Sequence, residues 1–256
     1  MCREKYLAID VGGTAIKYTL TDKNAKTIKI NEIKTRREPE KLFESLDEIK
    51  GVGHRVLHGG EKYSDSVLIT DEVIESIKEL TKLGPLHHPG NLAGIEAMRK
   101  ALPEVANVAV FDTAFHQTMG REQYLYGVPY SWYEDYKVRK YGFHGLSHKF
   151  VTEKMMSILG NPNPNLIVCH MGGGISIAAH NHGKMIDCND IINGDGPMSP
   201  TRCGFIPAKT LIKMCFSGKY TKAEIKKMLV GKGGAVAHLG TNDFRGIVTR
   251  AEEGDQ

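Results

Sequence analysis

Apolar and polar positions along the chain alternate with two periods, and the period changes at glycine and proline clusters. Residues 6–10 (YLAID) form an apolar run that ends on a carboxylate, Asp10. Val11, Gly12, Gly13 and Thr14 break the run, and residues 16–20 (IKYTL) alternate again. The pattern predicts strand, glycine turn, strand, with a third strand over Thr27–Ile33 after the polar turn at 22–24. Residues 34–50 are charged with apolar positions at helical spacing, which predicts a surface helix. Helical spacing recurs over 70–83, 91–102 and 147–159, and residues 108–111 read as a buried strand.

The opening pattern returns later. Residues 166–170 (LIVCH) are an apolar run that meets Gly172, Gly173 and Gly174; residues 175–179 continue as a strand, and Asn181, His182 and Gly183 make a hairpin turn into 185–188. A shift of 160 residues lays His170 on Asp10, Gly172 on Gly12 and Gly173 on Gly13. Two such units predict two similar half-molecules facing each other across a cleft. The Pro- and Asn-rich stretch 161–165 is the expected boundary, giving domains of 1–160 and 161–256.

Composition narrows the class without naming a function. The 256 residues are 41% hydrophobic and 25% charged, the balance of a globular protein. No apolar run is long enough for a membrane helix, and the first residues lack the apolar core of a signal peptide, so a cytoplasmic location is expected. Five scattered cysteines fit neither a disulfide framework nor a zinc knuckle. The net charge of +4 suits small anions, but the Lys and Arg are dispersed, which argues against nucleic acid.

Candidate chemistry sits in the glycine turns and in a histidine-rich middle. Glycines after a buried strand let backbone N–H groups approach phosphate oxygens, and two matched loops are a stronger signal than one. Neither fits a P-loop, and Asp10 does not sit where a dinucleotide fold carries its acidic residue. Four short blocks, GHRVLHGG (53–60), PLHHP (85–89), FDTAFHQ (111–117) and YGFHGLSH (141–148), hold most of the histidines. A single turn histidine is ordinarily a satisfied structural residue, and His58, His88 and His148 stay open to that reading. The pairs His54/His58 and His144/His148 have i,i+4 spacing but no HExxH glutamate, so zinc is not expected.

These blocks are where a family resemblance becomes specific. GHRVLHGGEKY, PLHHPGNLAGIEA, VAVFDTAFHQTM and YGFHGLSHKFV resemble the successive motifs of acetate kinases, in the family's order, over residues 53–160. NLIVCHMGGGISIAAH, NGDGPMSPTRCGFIP, CFSGKYTKAEIKKMLVGKGG and AHLGTNDFRGIV are more similar to butyrate kinases. YLAIDVGGTAIKYTL resembles sugar kinases of the repressor–open-reading-frame–kinase family. The chain therefore reads as a mosaic within the actin/hexokinase-like superfamily. The resemblance implies an α/β, ribonuclease H-like fold of two domains, the second incomplete, because the sequence stops before a later helix, glycine motif and acidic residue of the family.

The resemblance also implies ATP or ADP, Mg2+ and a small carboxylate as the molecules handled, with no membrane or nucleic-acid partner, and a homodimer or self-association through the incomplete second domain. A carboxylate acceptor, with a pKa of about 4.3, is already ionised and needs no general base. The obstacle is bringing an anion to an anionic phosphate, which fixed cations and donors relieve. By carry-over from the family motifs, Arg55 and Arg202 would stabilise the transferred group, with His144 and His87 donating to its oxygens or to the acceptor. Asp112 would orient Arg55 or hold a magnesium-bound water, and Asp10, where acetate kinases carry an amide, would reach magnesium. Gly12, Gly13, Thr14, Gly172, Gly173 and Gly174 would cradle nucleotide phosphates with His170 beside them, and Asn242, Asp243 and Arg245 would contact the adenosine side. Leu57, Leu86 and Phe143 would line an acyl pocket, although core packing explains them equally well. The rival readings are a butyrate or branched-chain acid kinase, a sugar kinase, and a non-catalytic scaffold that binds phosphate weakly.

Overall fold

The computed structural model describes residues 4–11, 16–33 and 48–255. They form two compact units, Met1–Gln117 and Thr118–Gln256.

The first unit is built on a six-stranded sheet of order β3-β2-β1-β4-β6-β5. Its strands are β1 (Lys5–Val11), β2 (Ile16–Asp22), β3 (Thr27–Ile33), β4 (Ile49–Val56), β5 (Val67–Leu68) and β6 (Ala106–Phe111). β1, β4 and β6 run parallel in the middle, while β2, β3 and β5 join antiparallel at the sides. Alternation along β1 buries Leu7, Ile9 and Val11, and along β6 buries Ala109 and Phe111. The surface helix expected over 34–50 fails at its end: residues 49 and 50 open β4, and most of its remainder lies outside the described residues.

Two helices cover this sheet. Helix α1 (Asp71–Glu79) starts where the Thr70 hydroxyl accepts from the Val73 amide at 3.3 Å, with Asp71 and Glu72 in its first turn. It buries Val73, Ile74 and Ile77 against Val56 and Phe111. Helix α2 (His88–Ala101) buries Ile95 and Met98. A Cβ at Gly94 would stand 2.9 Å from the Val11 methyl, so glycine lets α2 approach the end of β1.

The second unit opens with the short helices α3 (Arg121–Tyr124) and α4 (Ser131–Tyr136), then α5 (Gly145–Leu159). An antiparallel sheet follows, of β7 (Leu166–Met171), β8 (Ile175–Asn181) and β9 (Lys184–Cys188). The pairing Met171↔Ile175 leaves Gly172, Gly173 and Gly174 as the loop between β7 and β8. The next hairpin turns on His182 and Gly183, both at positive φ (50° and 73°), as a two-residue turn matched to strand twist requires. The same 160-residue shift lays β1 and β2 on β7 and β8 to within one residue. Helices α6 (Ala208–Cys215), α7 (Lys222–Leu229), α8 (Ala235–Leu239) and α9 (Phe244–Glu252) complete the unit. The 161–165 stretch lies inside it, because α5 before that stretch packs on β7 after it.

Candidate functional site

In the first unit the site residues gather at the carboxyl ends of three parallel strands, the edge where α/β sheets bind ligands. Arg55 lies opposite Asp10 in the β1–β4 register, and Asp112 follows the last residue of β6. The guanidinium spans both carboxylates. Nη1 donates to Asp10 Oδ1 at 2.8 Å, while Nε and Nη2 both donate to Asp112 Oδ2, at 3.1 and 2.5 Å. Asp112 is 1% exposed and Asp10 39%, so one partner is a buried anchor and the other faces solvent. Burial works to lower the Arg55 pKa, but the charges and hydrogen bonds of Asp112 and then Asp10 outweigh it. The guanidinium is held above its ordinary value and stays cationic.

The surrounding turns are fixed by side chains that pattern reading did not single out. Asn91 on α2 accepts from the Leu57 amide at 3.2 Å and donates to the Val11 carbonyl at 3.3 Å, tying the ends of β4 and β1 together. The Thr113 hydroxyl accepts from the Gly59 amide at 2.9 Å. Both satisfy backbone groups that a loop in this position would otherwise bury unpaired. His58 accepts from the Gly60 amide through Nδ1 at 2.9 Å, and His88 Nδ1 sits 3.0 Å from the Ile77 carbonyl. His87 caps α2. Leu57 is buried and Leu86 is 70% exposed. Gly12, Gly13 and Thr14 lie outside the described residues.

The second unit carries a histidine and hydroxyl array between α5 and the sheet. His144 caps α5 with φ at 59°, a left-handed conformation uncommon outside glycine, of the kind that clusters at functional sites. Its Nδ1 lies 2.9 Å from Ser176 Oγ on β8, and His148 Nε2 lies 2.8 Å from the same oxygen. The His144 ring stacks on His170 at 4.0 Å and 21°, and His170 Nδ1 is 2.9 Å from Ser147 Oγ. His180 pairs with Thr152 at 2.9 Å. Burial, with help from neighbouring His180 and His170, pushes the His148 pKa down to about 4. Phe143, next to His144, is 2% exposed.

The triple-glycine loop lies against this array. A Cβ at Gly174 would collide with the Ile191 side chain and come within 3.5 Å of His144 Cε1, whereas one at Gly173 would meet nothing within 4 Å. Ser199 Oγ donates to the Gly173 carbonyl at 3.1 Å, and Arg202 Nη1 donates to the Ile191 carbonyl at 2.9 Å. Burial lowers the Arg202 pKa. The unit thus brings His144, His170, the triple-glycine loop and the Arg202 loop together. Asn242 and Arg245 are exposed, and Asp243 caps α9 by accepting from the Arg245 amide at 3.1 Å.

Among the described residues no three His, Cys, Asp or Glu converge as a metal cage. Magnesium asks for less, since one or two carboxylates with waters and phosphate oxygens suffice. Asp10, partly exposed beside Arg55, fits that donor set. Among the described residues no helix is long and apolar enough to cross a membrane.

A family model described as the Acetokinase family matches residues 3–256. The acetate kinase of Bacillus cytotoxicus is 45% identical over 235 residues, covering 89% of this chain and 58% of that protein. The chain thus spans little more than half the length of the curated relatives it matches. Its structure is similar to the crystal structures of Porphyromonas gingivalis acetate kinase (TM-score 0.89) and a Francisella tularensis propionate kinase (TM-score 0.91). Each is 32% identical, and each match covers 98% of this chain and 74% of the other. The fold is accordingly the α/β, actin-like ATPase fold.

Proposed function

This chain belongs to the Acetokinase family, and from that premise we propose that it moves the γ-phosphoryl group of ATP to a short-chain carboxylate, reversibly, with acetate or propionate as the acceptor. The observation that carries the reading is Arg55. It is a permanent cation set at the carboxyl ends of parallel strands and aimed by a buried carboxylate, in a block that resembles a motif of acetate kinases.

In the proposed reaction an acceptor carboxylate oxygen attacks the γ-phosphorus. The bond from that phosphorus to the β–γ bridging oxygen breaks, and ADP leaves with the electron pair. No proton moves. The protein's task is positioning and charge stabilisation. Arg55 and Arg202 supply planar forks for phosphoryl and carboxylate oxygens. His144 and His87 donate to those oxygens, and Asp112 keeps the Arg55 fork aimed. Gly172, Gly173 and Gly174 would cradle nucleotide phosphates beside His170 through the Gly173 and Gly174 amides, the Gly172 amide already donating to the Gly174 carbonyl at 3.0 Å, and Gly12, Gly13 and Thr14 are proposed to act with them. Asn242, Asp243 and Arg245 lie toward adenosine. Asp10 would hold magnesium, which neutralises phosphate charge when bound. Leu86, exposed in the first unit, is proposed to contact the acyl tail, and Leu57 and Phe143, each buried, are proposed as further apolar residues for it.

The butyrate-kinase likeness of the later segments raises a longer acyl chain as the second reading. Against it, the acceptor-side blocks resemble those of acetate kinases, and a structural neighbour is a propionate kinase. Trapping acyl phosphate with hydroxylamine across formate, acetate, propionate, butyrate and glucose tests the assignment. Product with acetate and propionate above butyrate, and none with glucose, is expected. Preference for butyrate, or no product with any acid, overturns it.

A further inference from the structure

We infer that Ser176 is a positioning residue for His144, its hydroxyl carrying a hydrogen-bond direction from His148 to His144 so that His144 keeps its ring proton on Nε2. The inference rests on the reading of His144 as a donor to the transferred phosphoryl group.

His144 stands at the N-cap of α5 and His148 in its first turn, and β8 presents Ser176 to both rings. Ser176 is wholly buried, with Oγ 2.9 Å from His144 Nδ1 and 2.8 Å from His148 Nε2. A hydroxyl has one proton and two lone pairs, so it can donate to only one of the two rings. If Ser176 donates to one ring, the other must donate to Ser176.

Depressed by burial, His148 is neutral near pH 7 and carries a single ring proton. Two chains of hydrogen bonds are then consistent. In one, His148 Nε2–H donates to Oγ and Oγ–H donates to His144 Nδ1, which leaves the His144 proton on Nε2. In the other the direction reverses, and a neutral His144 turns a bare Nε2 lone pair outward. A lone pair facing an anionic phosphoryl oxygen repels it, so only the first chain makes a neutral His144 a donor.

The ring has little room to choose another arrangement. It stacks on His170 at 4.0 Å, His170 is itself paired with Ser147, and the His144 backbone is locked at φ 59°. A merely structural serine would hold the ring in place without selecting its tautomer, and that difference is measurable.

Long-range 1H–15N correlation of ring-labelled histidines in the full chain reads the tautomer directly at pH 7.5. The expected wild-type result is His144 with Nδ1 unprotonated and Nε2 protonated. In Ser176→Ala the Nδ1-protonated form should appear, and Ser176→Thr, which keeps the hydroxyl, should restore the wild-type pattern. A wild-type His144 that is protonated on Nδ1 overturns the inference, whether or not the variants fold. So does an unchanged His144 tautomer in folded Ser176→Ala. Turnover is a separate readout. Ser176→Ala should lower kcat by about 10–100-fold, the scale for losing a partner that orients a functional histidine, with KM for acetate little changed. If the tautomers behave as expected while kcat does not fall, the Ser176 assignment stands and the role given to His144 fails.

Discussion

Arg55 grips a single oxygen of Asp112 through two of its nitrogens, on a carboxylate that is 1% exposed. A lysine at position 55 would offer one ammonium point in place of this fork, so it could not hold Asp112 and a ligand in the same geometry. Arg55→Lys is therefore expected to lower kcat by about 10²–10³, the same loss expected of Arg55→Ala. Near-wild-type turnover in Arg55→Lys would reduce Arg55 to a general positive charge. Asp112→Asn should cost about 1–3 kcal/mol of stability, read as a lower urea midpoint, because part of a buried charged hydrogen bond is left unmatched.

Asp10 engages the outer nitrogen of the same guanidinium at 2.8 Å but stands 39% exposed. An incoming carboxylate or phosphate has to share Nη1 with it. Asp10→Asn removes the competing charge, and acetate or inorganic phosphate, measured by calorimetry without magnesium, should bind about twofold to fivefold tighter. That range is the Boltzmann factor of roughly 0.5–1 kcal/mol for a part-exposed ion pair. Weaker binding in Asp10→Asn would show that Asp10 supports the anion site and does not compete for it.

The triple-glycine loop separates binding from packing at adjacent positions. A methyl at Gly173 meets nothing within 4 Å, so Gly173→Ala should leave stability within about 0.5 kcal/mol of wild type. If backbone amides here approach phosphate, the same methyl should weaken ATP binding. Gly174→Ala drives a methyl into Ile191 and toward His144, an overpacking expected to cost about 1–3 kcal/mol. Unchanged ATP affinity in Gly173→Ala would remove this loop from the nucleotide site.

The strand–glycine–strand units are legible because YLAID and LIVCH are short apolar runs, each ending on a polar residue and punctuated by glycines. β4 is not, since IKGVGHRV carries two glycines and its first two residues close the charged stretch that reads as a helix, although both of its neighbours in the sheet are strands. Helix α7 was missed despite a signal: Thr221 and Glu224 form a reciprocal capping box. The Arg55–Asp112 pairing was among the roles the family motifs suggested. Ser176, Asn91 and Thr113 were not, because a small polar residue gains its meaning from what tertiary packing sets against it. In the sequence Ser176 is one small polar residue in a strand, and only packing sets two rings on its oxygen.

The buried imidazoles set the expected acid limit of the fold. His54, His88, His148 and His180 all have pKa values lowered chiefly by burial, His148 to about 4. Between about pH 4 and the ordinary histidine value near 6.5, the unfolded chain binds protons there that the folded chain refuses. Stability then rises with pH across that window: it is fully present above about 6.5 and is lost as pH falls toward 4. For His148 alone the difference corresponds to about 3 kcal/mol. Asp190 works in the opposite direction. Burial raises its carboxyl above the ordinary value despite hydrogen bonds from Tyr141, Ile192 and Asn193, so it favours the folded state on the acid side. Four imidazoles against one carboxyl leave the histidine slope dominant. Urea midpoints should fall steadily from pH 7.5 to pH 5, and His148→Gln should flatten the slope while lowering the plateau. Midpoints that hold constant or rise on acidification would mean that these histidines are protonated in the folded chain, and the neutral His148 on which the Ser176 chain depends would go with them.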